Sequence, residues 1–144
     1  MQTFLSNKPF VRAYSYHLRM IVFVQEQHIS PELEFDELDT DHRYYLITIN
    51  EGKPVGTARY QFKEQGVLQP DRLCVHPDYR GQGIGRNLLN ELEKQALKDG
   101  CHHSLLSAEV TAIPFYVKSG YHQVSDTYLE DGLPCVQMKK KLRA

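Results

Sequence analysis

The chain has 144 residues, with 17 Lys and Arg against 18 Asp and Glu and a formal net charge of −1 at pH 7. An apolar share of 41% excludes a disordered chain, and the near-neutral balance excludes a dedicated nucleic-acid binder, whose domain is clearly basic. No apolar run approaches the ~18 residues of a spanning helix and no secretory signal opens the chain. The expectation is therefore one folded domain over residues 1–144, cytoplasmic and with no membrane partner. Three cysteines without paired spacing read as reduced thiols, in keeping with that compartment.

Tyr14, Leu18, Ile21 and Val22 recur at helical spacing and mark a first helix. The acidic run Glu32, Glu34, Asp36, Glu37, Asp39 and Asp41 predicts a solvated loop or short helix, with attraction of a cationic substrate as the alternative. Tyr44 to Asn50 reads as a strand, Glu51-Gly52-Lys53 as a hairpin turn, and Val55 to Phe62 as a second strand. Gln65-Gly66 turns the chain into a third strand that ends in Leu73-Cys74-Val75, and His76-Pro77-Asp78 stops it. Ile84, Leu88, Leu89, Leu92 and Ala96 then line one face of a long amphipathic helix running to about Asp99 and capped by Gly100. Arg86, Asn87, Asn90, Glu93, Lys94 and Lys98 fall elsewhere on it. Ser104 to Ala108 is another strand, Phe115-Tyr116 sits on a short helix, and two strands finish the chain. The order predicts an α+β fold with a mixed sheet.

Between the third strand and the long helix lies Tyr79-Arg80-Gly81-Gln82-Gly83-Ile84-Gly85-Arg86. Glycines at a strand-to-helix junction allow a tight turn and leave main-chain N–H groups uncovered. The helix start adds orphan donors and partial positive charge, and the two arginines add full charges. That combination suits a phosphate or diphosphate. A nucleotide P-loop would need Lys then Ser or Thr after the last glycine, where Arg86-Asn87 stands. The dinucleotide fingerprint needs two residues between its second and third glycines, and only Ile84 separates Gly83 from Gly85.

The pattern Arg-x-x-Gly-x-Gly from Arg80 to Gly85, after a strand ending in Val-x-Pro, resembles the acyl-CoA loop of the GCN5-related N-acetyltransferases, the GNAT superfamily. Ala112-Ile113-Pro114-Phe115-Tyr116-Val117-Lys118-Ser119-Gly120-Tyr121 is similar to that family's later signature. Val22 to Gln27, Glu34 to Asp39, Gly56 to Arg59 and Leu129 to Met138 resemble small bacterial acetyltransferases of the YjcF/ElaA type, so the likeness runs roughly from Arg19 to Lys139. It implies the acyl-CoA N-acyltransferase fold, a mixed, mostly antiparallel twisted sheet flanked by helices. It also implies acetyl-CoA as acyl donor, a small-molecule or peptide amine as acceptor, and the dimers common in the family.

Acetyl transfer from a thioester to an amine requires a positioned thioester, a deprotonated amine, a stabilised oxyanion and a proton for the departing thiolate. By the resemblance, Leu73, Cys74 and Val75 would carry the pantetheine arm on their main chain. Arg80, Gly81, Gln82, Gly83, Ile84, Gly85 and Arg86 would hold the diphosphate, with Phe115 beside the cofactor. Tyr116 aligns with the tyrosine that protonates the thiolate. Read without that motif, it is an aromatic packing beside Phe115. Glu26 and Glu109 are the candidate bases, each of which also reads as an ordinary surface glutamate. Cys101-His102-His103 with His122 and Cys135 lacks the spacing of a metal site, so no metal is expected. Direct transfer in a ternary complex is the leading reading. A sensor or partner-docking module that holds CoA without turnover is the alternative, because no base is fixed by the sequence.

Overall fold

A computed structural model describes residues 1–143. The strands are β1 (Gln2–Ser6), β2 (Tyr45–Asn50), β3 (Lys53–Glu64), β4 (Val67–Val75), β5 (His103–Glu109), β6 (His122–Gln123), β7 (Tyr128–Glu130) and β8 (Leu133–Lys141). The helices are α1 (Pro9–Arg19), α2 (Pro31–Glu34), α3 (Ile84–Lys98) and α4 (Ile113–Lys118). Strand hydrogen bonding follows the order β1-β2-β3-β4-β5-β8-β6, with β7 on β8. The ladders are antiparallel except the β4–β5 pair, which is parallel through Val67↔His103 and Leu68↔Ser104. The sheet is mixed and mostly antiparallel, the arrangement that the resemblance implies.

The chain falls into two compact units, Met1–Arg59 with Arg72–Asn90, and Tyr60–Asp71 with Glu91 onward. In the first, α1 starts with Pro9 in its opening turn and presents Val11 and Leu18 to Tyr45, Ile47 and Cys74. The helix then widens over Met20–Glu26 into a π-helical segment, closed by the Gln27 N–H donating to the Val22 carbonyl. The Glu51-Gly52 hairpin turn has both residues at positive φ, which matches strand twist. In the second unit, α3 ends at Gly100 (φ 87), where the Cys101 and Gly100 N–H groups return to the Ala96 and Leu97 carbonyls. Cys74, Cys101 and Cys135 are free and buried.

Three expectations are corrected. The N-terminal strand β1 went unpredicted, although it pairs with β2 from Gln2↔Ile49 to Ser6↔Tyr45. Three strands rather than two finish the chain, because the two-residue β6 precedes β7 and β8. The acidic run is only partly solvated. Glu34 is fully buried, and Asp39 is nearly so.

Arginines draw those carboxylates inward. Arg19 Nε donates to Glu34 Oε2 at 2.9 Å, and its two terminal nitrogens reach both Asp39 oxygens at 2.8 and 2.9 Å. Arg59 donates to Asp36 Oδ1 at 2.7 Å, and Arg72 Nε lies 3.3 Å from Glu34 Oε2. Burial would raise Asp39, but hydrogen bonds from Arg19 and Tyr45 outweigh it and hold the carboxyl far below its ordinary value. Glu34 moves the other way, since its desolvation exceeds the attraction of Arg72 and Arg19.

Candidate active site

In the first unit the glycine loop is exposed from Arg80 to Gly83, whereas Ile84 is 4% exposed and anchors the start of α3. Gly81 and Gly83 both take left-handed backbone, at φ 80 and 81. A Cβ at either would meet nothing within 4 Å, so their surroundings are open and the conformation is what demands glycine. Ile84, Gly85 and Arg86 form the first turn of α3, whose N–H groups lack intrahelical acceptors. The loop therefore offers main-chain donors, a helix N-terminus and the Arg80 and Arg86 side chains, a donor set that fits a diphosphate.

What seats this turn is Gly56, on β3. A Cβ there would fall 2.8 Å from Ile84 Cγ2 and 3.0 Å from Leu88 Cδ1. The bare glycine lets the first two turns of α3 lie directly on the strand. A motif search for phosphate loops does not reach it, because it lies far upstream. An unpredicted bend also sits beside the Leu73-Cys74-Val75 segment. Arg72 has φ 50, a left-handed non-glycine inside β4, and its side chain turns to Glu34, Asp36 and the Leu33 carbonyl. A left-handed non-glycine residue departs from the extended backbone of the strand around it and stores local strain.

Arg80 and Glu26 come together in this unit. The guanidinium grips the carboxylate in a bidentate pair at 2.9 and 2.5 Å and also donates from Nε to the Val75 carbonyl at 3.3 Å. The hydrogen bond from Arg80 lowers the Glu26 pKa, and the same bond raises that of Arg80. A carboxylate held ionised in this way is a weak proton acceptor. Cys74 is 5% exposed, and burial pushes its thiol well above the ordinary range, so the side chain is inert core.

The second unit holds Glu109, Phe115 and Tyr116. Glu109 ends β5, opposite Cys135 of β8, and leads into the tight turn Val110–Ala112 before α4. It is half-buried, and desolvation raises its carboxyl above the ordinary value of 4.5. Phe115 and Tyr116 meet edge-on at 5.0 Å, and Tyr116 meets Tyr121 edge-on at 5.8 Å. Burial raises the Tyr116 phenol, and the Glu109 charge raises it further. The two groups therefore feel each other electrostatically. Cys135 is 3% exposed with its thiol also pushed up by burial, which suits packing rather than nucleophilic attack.

Residues 15–142 match the family model described as the Acetyltransferase (GNAT) domain. The chain belongs to the GNAT acetyltransferases. Among relatives of this GNAT enzyme, the uncharacterized N-acetyltransferase YjcF of Bacillus subtilis is 36% identical over 127 residues, covering 88% of the present chain and 89% of YjcF. A Lactobacillus plantarum crystal structure, of a protein described as an N-acetyltransferase, superposes with a TM-score of 0.93 at 38% identity, covering 99% of this chain and 98% of that one. An aminoglycoside 6′-N-acetyltransferase crystallised with coenzyme A shares the fold at a TM-score of 0.81 and 16% identity, covering 100% of this chain and 98% of its own. Like its family, the GNAT chain is an N-acetyltransferase that works with acyl-CoA.

Proposed function

We propose that the enzyme transfers an acetyl group from acetyl-CoA to the primary amine of a small molecule or peptide, by direct attack within a ternary complex in a single cytoplasmic domain. The observation that carries this reading is the open, left-handed turn at Gly81 and Gly83 leading into α3, whose donors suit the diphosphate of the acyl donor. The pantetheine arm lies along the main chain of Leu73 to Val75 as an extra pseudo-strand, the role that the family resemblance gives this segment.

Glu109 is the better base of the two candidates. Its raised pKa makes it a stronger proton acceptor than Glu26, which Arg80 keeps ionised. Glu109 takes the proton of the attacking amine, directly or through a water, and Tyr116 gives its proton to the departing sulfur. The two transfers assist each other. The negative charge of Glu109 helps to keep Tyr116 protonated, and once Glu109 is neutralised that contribution disappears and Tyr116 becomes more acidic. Glu26 then serves to orient Arg80 beside the glycine loop.

Two measurements test this reading. Calorimetric titration with acetyl-CoA is expected to show saturable binding, and CoA release over a panel of aminoglycosides, polyamines, amino acids and peptides is expected to rise with at least one of them. Absence of acetyl-CoA binding would overturn the reading at its root. Binding with no turnover on any amine would favour the sensor instead.

A further inference from the structure

Within the second unit, a buried polar network takes no part in the chemistry above. Glu93 on α3 is 7% exposed, although it falls outside the apolar face read from the sequence. Lys140 Nζ donates to Glu93 Oε1 at 2.7 Å and to the Ser119 carbonyl at 2.8 Å. The Tyr121 hydroxyl donates to Glu93 Oε2 at 2.8 Å and shares a 2.7 Å hydrogen bond with Ser104 Oγ. Glu93 is withdrawn from solvent while Lys140 keeps about 25% of its side chain exposed, and a half-buried pair of this kind contributes little net stability.

Its contacts converge on one residue. Tyr121 donates its main-chain N–H to the Tyr116 carbonyl at 2.9 Å and packs the edge of its ring against Tyr116. Gly120, at φ 96, makes that return of the chain, and Lys140 Cε stands 3.1 Å from where a Gly120 Cβ would be. Lys140 thus fixes the end of α4 through Ser119, and Glu93 fixes the far end of Tyr121. We propose that Glu93, Lys140 and Tyr121 are positioning residues that hold the Tyr116 hydroxyl in its working orientation. The inference rests on Tyr116 as the proton donor. Phe115 bears on the Tyr116 ring from within the same six-residue helix, and Tyr121 bears on it from beyond the helix end.

The test is a kinetic double-mutant cycle on the full chain. Tyr121→Phe keeps the ring and removes the hydroxyl. It is expected to lower kcat about tenfold while KM for acetyl-CoA stays within about twofold. In a Tyr116→Phe background the same substitution is expected to cost less than about twofold, because the group it orients is gone. Equal losses in both backgrounds would show a merely structural role and overturn the proposal. A Tyr116→Phe variant with undiminished kcat would instead refute the proton-donor reading itself, and the positioning role with it. If Tyr121→Phe folds poorly, Ser104→Ala removes a single hydrogen bond of the same network and enters the same cycle with the same two outcomes.

Discussion

Desolvation raises the Glu109 carboxyl, and desolvation together with the Glu109 charge raises the Tyr116 phenol, which gives the pH profile a definite shape. Glu109 must be ionised to accept a proton, so kcat is expected to rise with pH through a value above 4.5. Tyr116 must be protonated to donate, and its raised pKa places the alkaline fall above the ordinary ~10 of a tyrosine. Glu109→Gln is expected to abolish the acid limb, to reduce kcat by roughly a hundredfold, and to move the alkaline limb down by removing the charge that raises Tyr116. A pH–rate series on both proteins checks all three. Glu26→Gln is expected to alter KM for acetyl-CoA through Arg80 and to leave the acid limb in place. The aromatic pair and the glycines were legible in the sequence because short-range motifs carry them. The pairing of Glu26 with Arg80 was not, since the two lie 54 residues apart.

Among the elements, α3 was the most legible. All five apolar positions assigned to its inner face are buried, because a 3.6-residue repeat is enforced by the helix itself. The burial of Glu93 was not legible, since its partner Lys140 lies 47 residues away on β8 and charge patterning within a helix cannot reveal it. The burial of Glu34 and Asp39 within the acidic run went unseen for the same reason, the arginines coming from α1, β3 and β4. Asp39→Asn is expected to destabilise the fold by roughly 3–5 kcal/mol at pH 7, by leaving buried arginine charge under-compensated. Because the folded Asp39 pKa is depressed, its stabilisation is present above the ordinary value of 3.8 and is lost as pH falls toward the folded value. The gap between variant and parent in urea melts should therefore narrow only in strong acid. Gly56→Ala tests the seat of α3. The added methyl must displace Ile84 Cγ2, a branch with no freedom to swing aside, at a cost of about 1–3 kcal/mol, and should weaken acetyl-CoA binding along with the melting temperature.

For the whole molecule, donor binding and folding are linked. Acetyl-CoA at 100 times its Kd is expected to add about 2.7 kcal/mol to stability and to raise the melting temperature, with no such effect from an unrelated nucleotide. Hydrogen exchange should slow most across residues 80–86, which are largely open to solvent without it. The order of strands and helices was readable from turn signals and periodicity. Strand β1 escaped because five residues, Gln2-Thr3-Phe4-Leu5-Ser6, are too few to show a clear alternation of apolar and polar side chains. One further property bears on the laboratory bench. Cys74, Cys101 and Cys135 are each at most 5% exposed. Colorimetric disulfide reagents that count liberated coenzyme thiols should thus meet almost no background from the native catalyst, and a slow extra signal in its absence of substrate would time the spontaneous opening of the core around those sulfurs.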